Sequence, residues 1–241
     1  MNKIVVYTSI FGGYDKLQDP LFTPKGYDFI AFTDTDLKSN KWEIRKKTPL
    51  YKDNTRNAKK YKILPHRFLP NYDISIYIDG NYVIKNDVNE LVEKFLFNTN
   101  AAFYDHNQQP LYDRRNCIYQ EAEAIFNFGN INMKKNPKKG FLNFKDDPRI
   151  IEKQIKKYKN EGYPYNNGLI NGGIILRRHN KKDCIKVMES WWEEIKYNSK
   201  RDQLSFNYVA WKNNFKFNYL KGDSRKNEYF LQTGPHQKKK I

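Results

Sequence analysis

With 241 residues, 16% of them aromatic, the chain is long enough to bury a core without covalent staples and too rich in Tyr, Phe and Trp for a disordered polymer. Its 44 Lys and Arg against 27 Asp and Glu leave a formal charge of +17, which directs attention to polyanions: nucleic acid, an anionic membrane or phosphorylated small molecules. Cys117 and Cys184 stand apart and outside any Cys/His cluster, which excludes a disulfide framework or a zinc site and predicts two buried thiols.

Residues 4–9 form a continuous β-rich run that enters a glycine turn at Phe11-Gly12-Gly13-Tyr14. This run is too short for a signal peptide or a membrane span, so a soluble, cytoplasmic chain is expected. Residues 28–33 repeat the pattern and end at Asp34, residues 54–65 have helical composition, and residues 72–78 are a third buried strand ending at Asp79-Gly80-Asn81. Strand, turn, strand, helix, strand is the order of a nucleotide-binding α/β sheet. A helix follows at 87–97, capped by Asn86 or Asp87, then a strand at 101–104 and a helix at 116–126. Residues 129–146, rich in Asn, Lys and Gly, read as a mobile loop or insertion, and Asp147-Pro148 opens another helix. Residues 172–177 give a glycine-led strand, and Cys184, Ile185, Met188, Trp191, Trp192 and Ile195 make a helical apolar stripe whose tryptophans are assigned to the core. A helix at 202–211, a strand at 215–220 and a basic tail at 221–241 complete a single α/β domain without internal repeats.

The segment SIYIDGN carries the first chemical signal, because open α/β sheets bind ligands at the C-terminal ends of their strands. Asp79 and Asn81 offer a carboxylate and an amide oxygen suited to Mg²⁺ or Mn²⁺ with a diphosphate, although Asp-Gly-Asn is also an ordinary strand-ending turn. Arg56 and Lys59 lie three residues apart on the predicted helix and are expected to share a face toward phosphate or sugar hydroxyls.

Taken together, VVYTSIFGGYD, FIAFTD, NTRNAKKYKILPHRFLPNYDISIYIDGN, NGGIILRRH and RDQLSFNYV, in that order, resemble GT-A glycosyltransferases. The chain is most similar to the glycosyltransferase-like domain, long catalogued as a domain of unknown function, of plant, bacterial and viral proteins, and more distantly to the glycogenin and bacterial galactosyltransferase family. That resemblance implies a Rossmann-like domain with a mixed, mainly parallel central sheet flanked by helices. It also implies a nucleotide-sugar donor, UDP being the usual nucleotide, and a glycan, glycoprotein or glycolipid acceptor. Tyr7, Thr8, Phe11 and Tyr14 would surround the base and ribose, with Asp34 also facing the nucleoside. The family's Asp-x-Asp metal motif falls on Asp79-Gly80-Asn81, with Asn81 in place of the second carboxylate, and His236 stands where relatives complete metal or diphosphate coordination. Asn171, Gly172 and Gly173 would flank the donor sugar, and Asp202-Gln203 resembles a pair that contacts donor or acceptor hydroxyls. His106, Arg114, Arg115 and Glu121 match the segment between the metal motif and the sugar site.

The implied reaction is attack by an acceptor hydroxyl on the anomeric carbon with loss of nucleoside diphosphate. In an inverting enzyme Asp202, then Glu121, are the candidate bases; for retention the sequence names no nucleophile. Two other classes stand beside this one: a nucleic-acid-binding protein using the basic surface, for which no recognition signature is present, and a catalytically idle sugar-nucleotide-binding relative. Lys238-Lys239-Lys240 would add a weak contact with an anionic membrane.

Overall fold

The computed structural model describes residues 2–108, 114–234 and 236. A seven-stranded sheet runs in the order β3-β2-β1-β4-β7-β6-β8, built from β1 (Ile4–Ile10), β2 (Tyr27–Thr33), β3 (Glu43–Lys46), β4 (Ile74–Ile78), β6 (Ala101–Asp105), β7 (Ile170–Arg177) and β8 (Asn218–Leu220). β5 (Tyr82–Ile84) and β9 (Phe230–Gln232) form a separate antiparallel pair. The helices are α1 (Asn54–Ile63), α2 (Pro65–Phe68), α3 (Asn89–Phe95), α4 (Ile118–Lys135), α5 (Pro148–Asn160), α6 (Lys182–Tyr197) and α7 (Phe206–Lys212). The expected α/β architecture with a mixed, mainly parallel sheet is what the chain adopts: β1, β2, β3 and β4 run parallel, β6 and β8 run parallel, and β7 lies antiparallel to both of its neighbours.

Every residue of β1 and β4 is buried, as in a sheet covered on both faces. On one face Val5 and Tyr7 pack with Tyr61, Trp191, Trp192 and Phe206. On the other, Val6, Ile76 and Ile174 pack with Leu91, Val92 and Trp42. Aromatic contacts dominate the first layer; Phe206 lies 4.2 Å from Phe103 and 4.8 Å from Trp191 between ring centroids. Cys117 and Cys184 are buried free thiols, and both tryptophans of α6 are core residues, as expected. Among the described residues no helix is long and apolar enough to cross a membrane.

Two stretches differ from expectation. Residues 129–135 are the second half of α4, and 137–143 continue as a 3₁₀ turn that packs back against it, so the segment is largely helical rather than a loop. The reason is Gly129: a Cβ there would stand 1.9 Å from the Phe144 ring, and the bare glycine is where that ring docks. In the tail, Phe230–Gln232 pairs with Tyr82–Ile84 and Asn227 is knit into local hydrogen bonds, while Lys238, Lys239 and Lys240 lie outside the described residues.

Topology delivers the site. β1 and β4 end at the same edge, and because β7 runs the opposite way its first residues lie beside the end of β4, with Ile78 paired to Ile174 and the Asp79 amide donating to Gly173 O at 2.8 Å.

Candidate active site

A cleft of about 520 Å³ opens at this edge, within the range typical of small-molecule sites. Phe11, Tyr14 and Asp15 come from the turn after β1, Thr55 and Lys59 from α1, and Asp79 from the end of β4. Phe128, Leu142 and Phe144 form an apolar wall from the α4 segment, and Arg201 and His236 close the perimeter.

At its floor lies a chain of charges. Lys62, 2% exposed, sits 2.8 Å from Asp202 Oδ2 and 3.3 Å from Asp79 Oδ1, and Lys59 makes a second ion pair with Asp202. Tyr77 donates its hydroxyl to Asp79 Oδ1 at 2.9 Å, so Asp79 is held from two sides while its side chain remains partly exposed to the cleft. Burial alone would raise the Asp202 carboxyl, but Lys59, Lys62 and Arg201 outweigh it and hold it far below the ordinary carboxylate range. Burial, reinforced by Lys62, pulls Lys59 down to about 8 even though Asp202 opposes the shift. For Lys62 burial acts in the same direction but Asp202 and Asp79 prevail, so its ammonium is held above the usual lysine value. Gly172 leaves room for this cluster: a Cβ there would stand 3.0 Å from Asp202 Oδ2 and 3.4 Å from Lys62 Nζ.

On the opposite rim His236 Nδ1 lies 2.8 Å from Asp15 Oδ2, its ring 5.1 Å from that of Tyr14. Burial lowers the imidazole pKa, but Asp15 and Asp79 more than compensate and raise it. Asn81 ties this rim to the strand: its Nδ2 donates to Gly234 O at 2.8 Å, and its carbonyl accepts from Thr233 N at 2.9 Å.

Several expected site residues lie elsewhere. Tyr7 does not face a nucleoside: it is fully buried, donating its hydroxyl to Lys62 O at 2.7 Å and accepting from Arg177. Thr8 is likewise buried within β1, away from the cleft lining. Arg56 does not share the Lys59 direction, because its guanidinium bonds to the Ile195 and Asn198 carbonyls at the end of α6 and to Asp53. Asp34 accepts from Gly12 N at 2.8 Å and so holds the glycine turn rather than lining the cleft. Asn171 and Gln203 are turned to the backbone, Asn171 Oδ1 accepting from Gly173 N and Gln203 Nε2 donating to Ile170 O.

His106, Arg115 and Glu121 do assemble, with Arg115 Nε 2.8 Å from Glu121 Oε2 and Arg115 Nη2 3.1 Å from His106 Nε2; Arg114 is exposed. Arg201, 3.8 Å from Glu121 Oε1, joins this cluster to the cleft. Neither proposed base is free to act as one: Asp202 is a buried carboxylate between two ammonium groups, and Glu121 is engaged by two guanidinium groups. Asp202 is buried four residues ahead of α7, which begins at Phe206.

Lys62, Tyr77, Asp15 and Arg201 went unread in the sequence. Lys62 had a signal, since it stands three residues after Lys59 on the same helix, the spacing used to pair Arg56 with Lys59.

Comparison with known proteins settles the family. A model of the TOD1/MUCI70 glycosyltransferase-like domain matches residues 1–233. The chain belongs to this family. It is 28% identical over 237 residues to the Probable hexosyltransferase MUCI70 of Arabidopsis thaliana, covering 86% of this chain and 37% of that protein, so it spans little more than a third of this relative's length. Solved structures to which it is similar include the apo WbbM bifunctional glycosyltransferase (TM-score 0.46, 12% identity, 90% of this chain and 38% of that one). Others are a glycosyltransferase involved in glycosylation of the major capsid of PBCV-1 (TM-score 0.44, 9% identity, 95% and 91%) and the galactosyltransferase LgtC with donor and acceptor sugar analogues (TM-score 0.44, 10% identity, 90% and 72%).

Proposed function

We propose that this chain is a glycosyltransferase that moves a hexose from a nucleotide sugar, a UDP-sugar by analogy with its relatives, to a hydroxyl of a glycan or glycoconjugate. The observation that carries the proposal is the pairing of Asp79 at the strand edge with the Lys59 ammonium across one cleft, in a member of a glycosyltransferase-like family. Phe11 and Tyr14 supply apolar walls for a nucleoside. Lys59 faces the position of a departing diphosphate, held there by Asp202, which is itself anchored by Lys62.

A divalent ion, Mn²⁺ or Mg²⁺, fits the donor set in chemistry. Among the described residues no three His, Cys, Asp or Glu side chains form a ready cage. Asn81 Oδ1, however, is buried without a hydrogen-bond partner, a condition that costs about 1–3 kcal/mol. Asp79, Asn81 and His236 are the residues that would hold the ion, which would neutralise charge on the diphosphate. Tyr77 fixes the Asp79 carboxylate for that purpose.

Calorimetric titration of UDP-glucose and UDP-galactose with and without Mn²⁺, followed by a turnover assay, tests the reading. Asp79→Ala is expected to keep its circular dichroism spectrum and lose at least about 100-fold in turnover. Wild-type activity and metal response in that variant would refute the site. Binding of the donor without transfer to any acceptor or to water would favour an idle relative, and steeply salt-dependent oligonucleotide binding without donor binding would favour the nucleic-acid class.

A further inference from the structure

The α4 hairpin carries an unusual surface. Phe128 and Ile131, one helical turn apart, are exposed on α4, and across the turn Phe141 is exposed and Leu142 is 86% accessible. Phe128 and Leu142 border the same cleft, so the two arms present one apolar ridge. Cations predominate around it: residues 124–145 hold Lys134, Lys135, Lys138, Lys139 and Lys145 and no Asp or Glu, and of the acids that follow, Asp147 is paired with Arg149. Lys145 Nζ lies 5.3 Å from the Phe128 ring centre, and Arg149 lies 4.8 Å from that of Phe141. Lys134, Lys135, Lys138 and Lys139 are exposed and take part in no ion pair among the described residues.

We propose that this hairpin is a docking surface for an anionic lipid bilayer, with Phe128, Ile131, Phe141 and Leu142 entering the headgroup boundary and the lysines meeting lipid phosphates. Aliphatic and aromatic side chains ringed by lysine are the composition of helices that lie in a membrane interface. A second copy of the chain fits less well, since a two-fold contact through this ridge would bring two lysine clusters together. Nucleic acid also fits less well, because the most exposed residues of the ridge, Leu142 and Ile131, are aliphatic and offer bases no stacking plane, and the Phe128 and Phe141 rings are already met by Lys145 and Arg149. Docked this way, the protein places the apolar rim of the cleft at the membrane surface.

Lipid docking is independent of the donor reading, and its test needs no substrate. The full chain is co-sedimented with vesicles of phosphatidylcholine alone and with 30% phosphatidylglycerol, and its mass is measured by analytical ultracentrifugation. The expected result is pelleting with the anionic vesicles only, at ordinary ionic strength, by a monomer. Phe141→Ser with Leu142→Ser should lower the partition coefficient at least about tenfold, and Lys138→Glu with Lys139→Glu should do so again, each lysine near such a surface contributing roughly fivefold. An unchanged melting temperature in both variants establishes that the loss is local. Absence of pelleting by the wild type, pelleting unaffected by either variant, or a concentration-dependent dimer abolished by the Phe141 and Leu142 changes would each overturn the proposal. Failure of sugar transfer with intact vesicle binding would refute only the enzymatic reading.

Discussion

Lys59 and Lys62 sit on the same helix, share Asp202 and yet are shifted in opposite directions: burial prevails at Lys59, whereas Lys62 is bonded to both Asp202 and Asp79, which outweigh its burial. With Lys59 lowered to about 8, the free cleft loses a positive charge as pH rises through that value. UDP affinity is therefore expected to fall above pH 8, by up to about tenfold per unit, with proton uptake on binding; calorimetry in buffers of different ionisation enthalpy measures both. A Lys59→Arg variant, whose guanidinium does not titrate in this range, should bind independently of pH there. The same depressed value means the folded chain binds fewer protons at Lys59 than the unfolded chain between pH 8 and the ordinary lysine range, so its unfavourable contribution to stability relaxes as pH rises. Asp202 acts the other way: its stabilising contribution is present above the ordinary carboxylate range and is lost on acidification. At this scale the cleft positions of Asp79 and Lys59 were legible, because a carboxylate at the end of a buried strand falls at the ligand-binding edge of an α/β sheet and Lys59 stands on a helix that precedes that strand. Tyr7 and Arg56 were misread because side-chain direction within a strand or helix depends on partners 50 to 170 residues away, such as Lys62, Arg177 and Asn198.

Among elements, α4 shows how composition misleads. Asn, Lys and Gly dominate its second half and resemble a loop, yet Ala122, Ile125 and Gly129 fall on one buried helical face. Gly129→Ala places a methyl group where the Phe144 ring lies, so the 3₁₀ turn must shift. The expected loss is about 1–3 kcal/mol, concentrated in the hairpin. Hydrogen exchange should show weakened protection across 129–144 with β1 and β4 unaffected, and equal protection throughout would contradict the packing described. By contrast, the long buried strands and α6 were legible directly, because a continuous apolar run or a sustained stripe has one interpretation. The short strands β3, β5 and β9 were not, since three or four residues carry too little periodicity.

For the whole molecule, 44 Lys and Arg against 27 Asp and Glu leave a formal excess of +17 that the acids do not neutralise. Self-repulsion should therefore lower stability at low ionic strength, and raising NaCl from about 10 to 150 mM shortens the screening length from about 30 to 8 Å. The melting temperature by calorimetry is expected to rise over that interval; a fall would mean that exposed attractions such as the Lys46–Asp36 pair outweigh the repulsion. Fold class was legible from element order, but the antiparallel entry of β7 was not, because strand direction is decided by a crossover that leaves no local mark.

The pairing of β5 with β9 joins residues about 150 positions apart in the chain, Tyr82 opposite Gln232, and brings His236 to the cleft rim. In a growing polypeptide the parallel strands β1 to β4 are available early, whereas the strand that carries this rim is made after all the other described strands. The Asp79 side of the cleft can therefore settle well before its opposite wall exists, and closing the long loop between them should be a late step in acquiring function. A ribosome-stalled chain ending before Phe230 would then be a folded sheet with half a pocket.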